Sequence, residues 1–114
     1  PVLTRVYSDY DIGVLTVEET VFEYDDAAYV WHPHWLEFHL DELAAAEQLE
    51  VKIYVKDNDT DDNERLMMHL DYLGVQAVPV KFLELPPTDL YFKVTVEQTG
   101  GALRDVIFKL YRES

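Results

Sequence analysis

Apolar and polar side chains alternate with a period of two along much of this chain, the pattern of strands with one buried face. Leu36, Phe38 and Leu40 share one face of a segment whose other face carries Trp35, Glu37 and His39. Val51, Ile53 and Val55 oppose Lys52, Tyr54 and Lys56, and the same alternation sets Phe92, Val94 and Val96 on one face and Val106, Phe108 and Leu110 on another. Val2 to Tyr7, Val14 to Tyr24 with a break at Glu18-Glu19, Leu66 to Leu70, and Val78 to Leu85 complete the predicted strands. Ile53, Phe92, Val94 and Phe108 hold the inward parity of the most regular strands and are the expected centre of the core. Helical spacing is confined to Asp41 to Gln48, where Ala44-Ala45-Ala46 predicts one or two turns bridging two sheets.

The punctuation agrees with short strands. Thr99-Gly100-Gly101-Ala102 lies between the last two strands, and its Gly pair supplies the positive φ of a tight hairpin. Asp57 to Asn63 reads as a polar hairpin loop, and Pro86-Pro87 ends the strand before it. No repeat, linker or shift in composition divides residues 1–114, so the expectation is one antiparallel β-sandwich of about eight strands. Its type is immunoglobulin-like or jelly-roll.

Charge narrows the partners. The chain has 23 Asp and Glu against 9 Lys and Arg, a formal net charge of −14. Nucleic acids and anionic membranes are bound mainly through Lys and Arg, so neither is an expected partner. The same excess keeps a chain soluble and opposes self-association until salt, cations or a complementary partner offset it; a halophilic source produces a similar balance. The absence of Cys excludes disulfides, thiolate metal sites and cysteine nucleophiles. Pro1-Val2-Leu3 has neither the basic segment nor the apolar core of a signal peptide. A leading Pro is what remains after removal of an initiator Met, which reads as a complete chain made in the cytoplasm. A processed secreted chain is the other origin.

Two clusters could carry chemistry. In Trp31-His32-Pro33-His34-Trp35, a strand would set His32 and His34 on one face, where both imidazoles could hold one metal ion. The spacing resembles the His-x-His pair of the cupin family. Glu37, however, comes too early for the cupin Glu and has the opposite parity, and the second cupin motif is absent. In Asp57-Asn58-Asp59-Thr60-Asp61-Asp62-Asn63-Glu64, the residues Asp57, Asp59 and Asp61 have the first spacings of a calcium-binding EF-hand loop. Asp62 stands at the position of the required Gly and Met68 at that of the bidentate Glu, which excludes an EF-hand and leaves a looser Ca2+ site or a solvated hairpin tip. No phosphate-binding loop, Gly-x-Ser-x-Gly or His-Glu-x-x-His occurs, so no cofactor and no enzymatic activity are expected. Eight Tyr and two Trp keep a sugar-stacking surface open, with Trp31 and Trp35 as its candidates.

Leu49 to Lys56, the acidic loop after it, Tyr91 to Gly101 with its Glu97-Gln98-Thr99-Gly100 turn, and the closing Phe108-Lys109-Leu110-Tyr111-Arg112 together span about sixty residues. They resemble small β-sandwich proteins encoded among the virion genes of tailed phages and archaeal viruses. The resemblance implies a non-enzymatic, capsid-decorating or tail-associated protein. Such a protein is displayed on the virion and contacts other structural proteins, often as a homo-oligomer. Residues 1–8 are then a candidate assembly arm or edge strand, and Val2, Leu3, Val6, Tyr7, Trp31 and Trp35 the candidate partner-facing residues. A cupin-like metal-binding protein using His32 and His34, and a carbohydrate-binding module at an extracellular surface, are the alternatives.

Overall fold

The computed structural model describes residues 3–25, 32–56, 63–85 and 91–113. Among these residues eight strands run in order: β1 (Leu3–Asp11), β2 (Glu19–Asp25), β3 (His32–His39), β4 (Gln48–Val55), β5 (Arg65–Leu73), β6 (Val80–Glu84), β7 (Tyr91–Thr99) and β8 (Asp105–Glu113). They form two four-stranded antiparallel sheets, β1-β8-β3-β6 and β2-β7-β4-β5. β4 pairs with β5, and around that pair β3 meets β6, β2 meets β7 and β1 meets β8. The chain is therefore one long two-stranded ribbon, turned back between β4 and β5 and rolled so that its arms alternate between the sheets. Of the two expected sandwich types, this is the jelly roll.

Alternation explains why these segments are strands. Along β4, Leu49, Val51 and Ile53 are buried while Glu50, Lys52 and Tyr54 face outward. Phe92, Val94 and Val96 of β7 meet Val106, Phe108 and Leu110 of β8 across the sheet gap, joined by Leu36 and Phe38 of β3. Phe108 anchors this packing. Its ring lies edge-on to Phe22 of the opposite sheet at 6.4 Å and beside Phe38 at 5.7 Å. Ile53, Phe92, Val94 and Phe108 are all fully buried, as their parity predicts.

Three local expectations are corrected. No helix occurs among the described residues, so Asp41 to Gln48 is not helical. Leu43 N–H bonds to Leu40 O and Glu47 N–H to Ala44 O, giving two separate turns. Ala46 then takes a left-handed φ of 66°, which a helix cannot contain. The alanines favour a helix, but Glu47 overrides them by turning its carboxylate back onto the Ala44 N–H. The segment does bridge the sheets, since β3 and β4 lie in different ones. The second predicted strand begins only at Glu19, because the Glu19 carboxylate binds the Gly13 and Val14 N–H groups and holds residues 13–18 as a loop. Third, Gly100 and Gly101 have the expected positive φ, 78° and 73°, yet their turn is not a hairpin. It carries the chain from β7 in one sheet to β8 in the other.

That turn is held by two buried polar side chains. The Gln98 amide donates to Gly100 O and Ala102 O, and its oxygen accepts from Arg104 N–H. Glu47, 3% exposed, accepts from the N–H groups of Ala44 and Ala102. It also takes both arms of the Arg104 guanidinium, each at 2.9 Å. The Arg104 bonds, backed by the backbone donors, hold the Glu47 carboxyl down at about 2. Gly101 completes the fit, since a Cβ there would stand 2.2 Å from a Glu47 carboxylate oxygen. Gly101→Ala is therefore expected to cost about 1–3 kcal/mol, from positive φ and displacement of Glu47 together. A thermal melt within error of wild type would contradict this packing.

Candidate functional site

The outer face of the sheet containing β1, β8, β3 and β6 is a grid readable from its registers. Trp35 lies between Tyr111 of β8 and Glu84 of β6, Glu37 between Lys109 and Phe82, and His39 between Ile107 and Val80. The Trp35 ring contacts Phe82 at 5.9 Å and Tyr111 at 6.3 Å. Below it, Glu37 accepts from His39 Nε2 at 2.6 Å and lies 3.4 Å from Lys109 Nζ. The His39 bond, with the Lys109 charge, holds the Glu37 carboxyl below its usual range despite partial desolvation.

At the end of this face Asp9, Asp11 and Asp105 bring one carboxylate oxygen each within 4.8 Å of the others. Asp9 and Asp105 also line a shallow cleft of about 120 Å³ with His39, Asp41, Glu42 and Ile107. Three such oxygens suit a hard divalent cation, although all three side chains are exposed. A hydrogen bond with Asp11, then lost hydration and the charges of Asp11, Glu42 and Asp9, raise the Asp105 carboxyl above its ordinary value. A raised acid favours the fold below its unfolded value and loses that contribution as pH rises through its folded value. Asp11→Asn is accordingly expected to raise the melting temperature at low salt, with the gain shrinking as salt screens the repulsion. An unchanged or lower melting temperature at low salt would remove the repulsion from the account.

The opposite sheet presents a closed polar lattice. The Glu18 carboxylate accepts from the Tyr54 and Thr95 hydroxyls, and the Tyr91 hydroxyl donates to Glu23 and Glu64. Lys93 pairs with Glu64, which holds that carboxyl low, while burial and both carboxylates push the Tyr91 hydroxyl upward. Each of these acids is bound to a neighbour, so the lattice ties the strands of this sheet together.

Sequence candidates fall in several places. Pro1, Val2, Trp31, Asp57, Asp59, Asp61 and Asp62 lie outside the described residues, and for Leu3 and His32 the description stops at the backbone. A bulge between Pro33 and Trp35 leaves Pro33 buried and His34 beside Trp35, rings 5.7 Å apart. His34 is thus not part of the core cluster. His39 and His69 are bonded to Glu37 and Glu50 in different sheets. Val6 is half-buried against the core, whereas Tyr7 is exposed on β1 at the sheet edge.

The surface that sequence reasoning passed over is the edge formed by β5, β6 and their connection. Of the ten exposed large apolar side chains among the described residues, Leu73, Val75, Val78, Val80 and Phe82 fall within one ten-residue stretch, with Val75 at 74% and Phe82 at 60% exposure. Residues 72–83 also contain no Asp or Glu, the longest acid-free run in the chain. The charge pattern alone could have located it. Exposed apolar groups this close together in the chain make the edge the candidate contact surface of the described residues. The chain matches no protein-family model and no curated protein.

Proposed function

We propose that this chain is a non-enzymatic structural protein that works by protein–protein contact, as a capsid-decorating or tail-associated component of a virion. The acid-free apolar strip on β5 and β6 carries this reading, because it is a surface suited to another protein in a chain whose remaining surface is strongly acidic. The jelly roll adds support, being a fold that viral capsid proteins use repeatedly. Its interior is filled by Leu, Ile, Val and Phe side chains, which suits a building part better than a ligand-holding barrel. Its partners are other structural proteins, copies of itself among them.

The test is co-purification. Particles banded on a density gradient from the source culture are probed with an antibody raised against the chain. Co-banding with particles at fixed stoichiometry is the expected result. Presence in the soluble fraction, with none in any particle band, would overturn the proposal.

A further inference from the structure

We infer that the occupant of this strip is a second copy of the chain, with β6 running antiparallel to its counterpart across a two-fold axis through Phe82. The inference rests on the protein–protein reading above and names the partner and the register.

β6 is an edge strand whose one strand neighbour among the described residues is β3. Leu40 N–H donates to Pro79 O and Leu85 N–H to His34 O, so odd-numbered residues of this stretch turn their backbone groups toward β3. In an antiparallel ladder the alternate residues face the other way, which directs the N–H and C=O of Val80, Phe82 and Glu84 to the open edge. A two-fold pairing centred on Phe82 sets Phe82 against Phe82 and Val80 against Glu84, each facing pair exchanging two hydrogen bonds. The sheet then continues from one protomer into the next.

Charge selects a like copy. A cationic partner is drawn to the acidic remainder of the surface, whereas a second copy, itself at −14, is repelled from every acidic face and meets the chain only where both lack carboxylates. The strip's own image carries no carboxylate from residue 72 to residue 83, so two strips meet with no facing acids between them, and the repulsion left is the longer-range one that salt screens. At the strip's end, the two Glu84 side chains are four ladder positions apart, about 13 Å, beyond the screening length of roughly 10 Å at 0.1 M salt. The Lys81 ammonium is drawn over the Tyr72 ring at 5.1 Å, away from the outer face that Val80 and Phe82 occupy. An inward lysine on a five-residue strand discourages indefinite edge pairing. A two-fold contact uses the edge once and closes, which is the compatible solution.

Sedimentation velocity of the whole chain over a concentration series, at low and at high salt, tests this. Wild type is expected to form a dimer that strengthens with salt. Phe82→Glu, which places like charges face to face, is expected to weaken it roughly a hundredfold. Tyr7→Glu on the opposite edge of the same sheet is expected to leave it unchanged. Circular dichroism and the melting temperature confirm that each variant is folded; if Phe82→Glu is not, Val80→Glu replaces it, on the same exposed face, where it sets a carboxylate against Glu84 of the second copy. A chain that stays monomeric throughout overturns the inference, as does a dimer that Phe82→Glu spares or that Tyr7→Glu disrupts. The two proposals fail separately: a dimer absent from every particle band sinks the virion reading alone, and a monomer found in particles sinks this one alone.

Discussion

Phe108→Ala is expected to remove about 3–5 kcal/mol of unfolding free energy, a large part of what a domain of this size possesses. The ring is fully buried and touches Phe22 in one sheet and Phe38 in the other, so truncation opens a cavity between layers rather than beside one. Neighbours in close-packed sheets relax little into such a space. Phe92→Ala, in the central strand of the opposite sheet, should cost a similar amount. Denaturant titration measures both, the signature being a lower midpoint with an unchanged slope. A loss under about 1 kcal/mol at both positions would place the core elsewhere.

The second large effect is expected at Glu47. Removing its carboxylate strands Arg104 and frees the N–H groups of Ala44 and Ala102, a loss on the order of 3 kcal/mol for Glu47→Ala. The pH dependence separates this from a loss of packing. The folded carboxyl titrates at about 2 against an ordinary value of 4.5. An acid lowered by folding stabilises the fold above its unfolded value and loses that contribution as pH falls through its folded value. Wild-type stability should therefore decline between pH 4.5 and about 2, and Glu47→Gln should flatten that decline. Equal slopes in the two proteins would mean that Glu47 is not the group responsible. Asp105 works in the opposite sense, its raised carboxyl favouring acid, so Asp105→Asn should leave a steeper acid decline than wild type.

The strand content of this fold was legible because period-two alternation is local: β4, β7 and β8 follow from their own residues. Sheet membership was not. The Gly100-Gly101 pair announces positive φ, but no property of the turn says whether the next strand pairs with the last or crosses to the other sheet. That choice depends on Gln98 and Glu47, and Glu47 lies more than fifty residues away in a segment whose alanines favour helix. The choice of jelly roll over immunoglobulin-like sandwich depends likewise on pairings such as β1 with β8.

The candidate surfaces divide in the same way. The acid-free strip at 72–83 is written in the sequence as a gap in the charge pattern, although which of its residues face solvent follows only from β6 being an edge. The carboxylate group was invisible beforehand, since Asp105 joins Asp9 and Asp11 only through the register Asp11↔Asp105. The apolar N-terminal segment suggested an assembly arm or edge strand, and Leu3–Asp11 is an edge strand, paired with β8 along its whole length, so deleting 1–8 would remove most of it.

Pairing the first strand with the last also sets a timetable for folding. Leu3 meets Glu113, so among the described residues β1 has no strand partner until β8, about a hundred residues later, has been made. At a synthesis rate of roughly 5–20 residues per second, β1 waits about 5–20 s for β8. During that interval Val6 and Tyr10, which later rest on the core, have only the nascent chain and its surroundings to cover them. The β4–β5 ribbon can form early, from neighbouring residues, while closure of the sandwich comes last. Variants that weaken the β1–β8 ladder are then expected to reduce the yield of folded protein made in the cell more than they lower the melting temperature of the molecules that succeed.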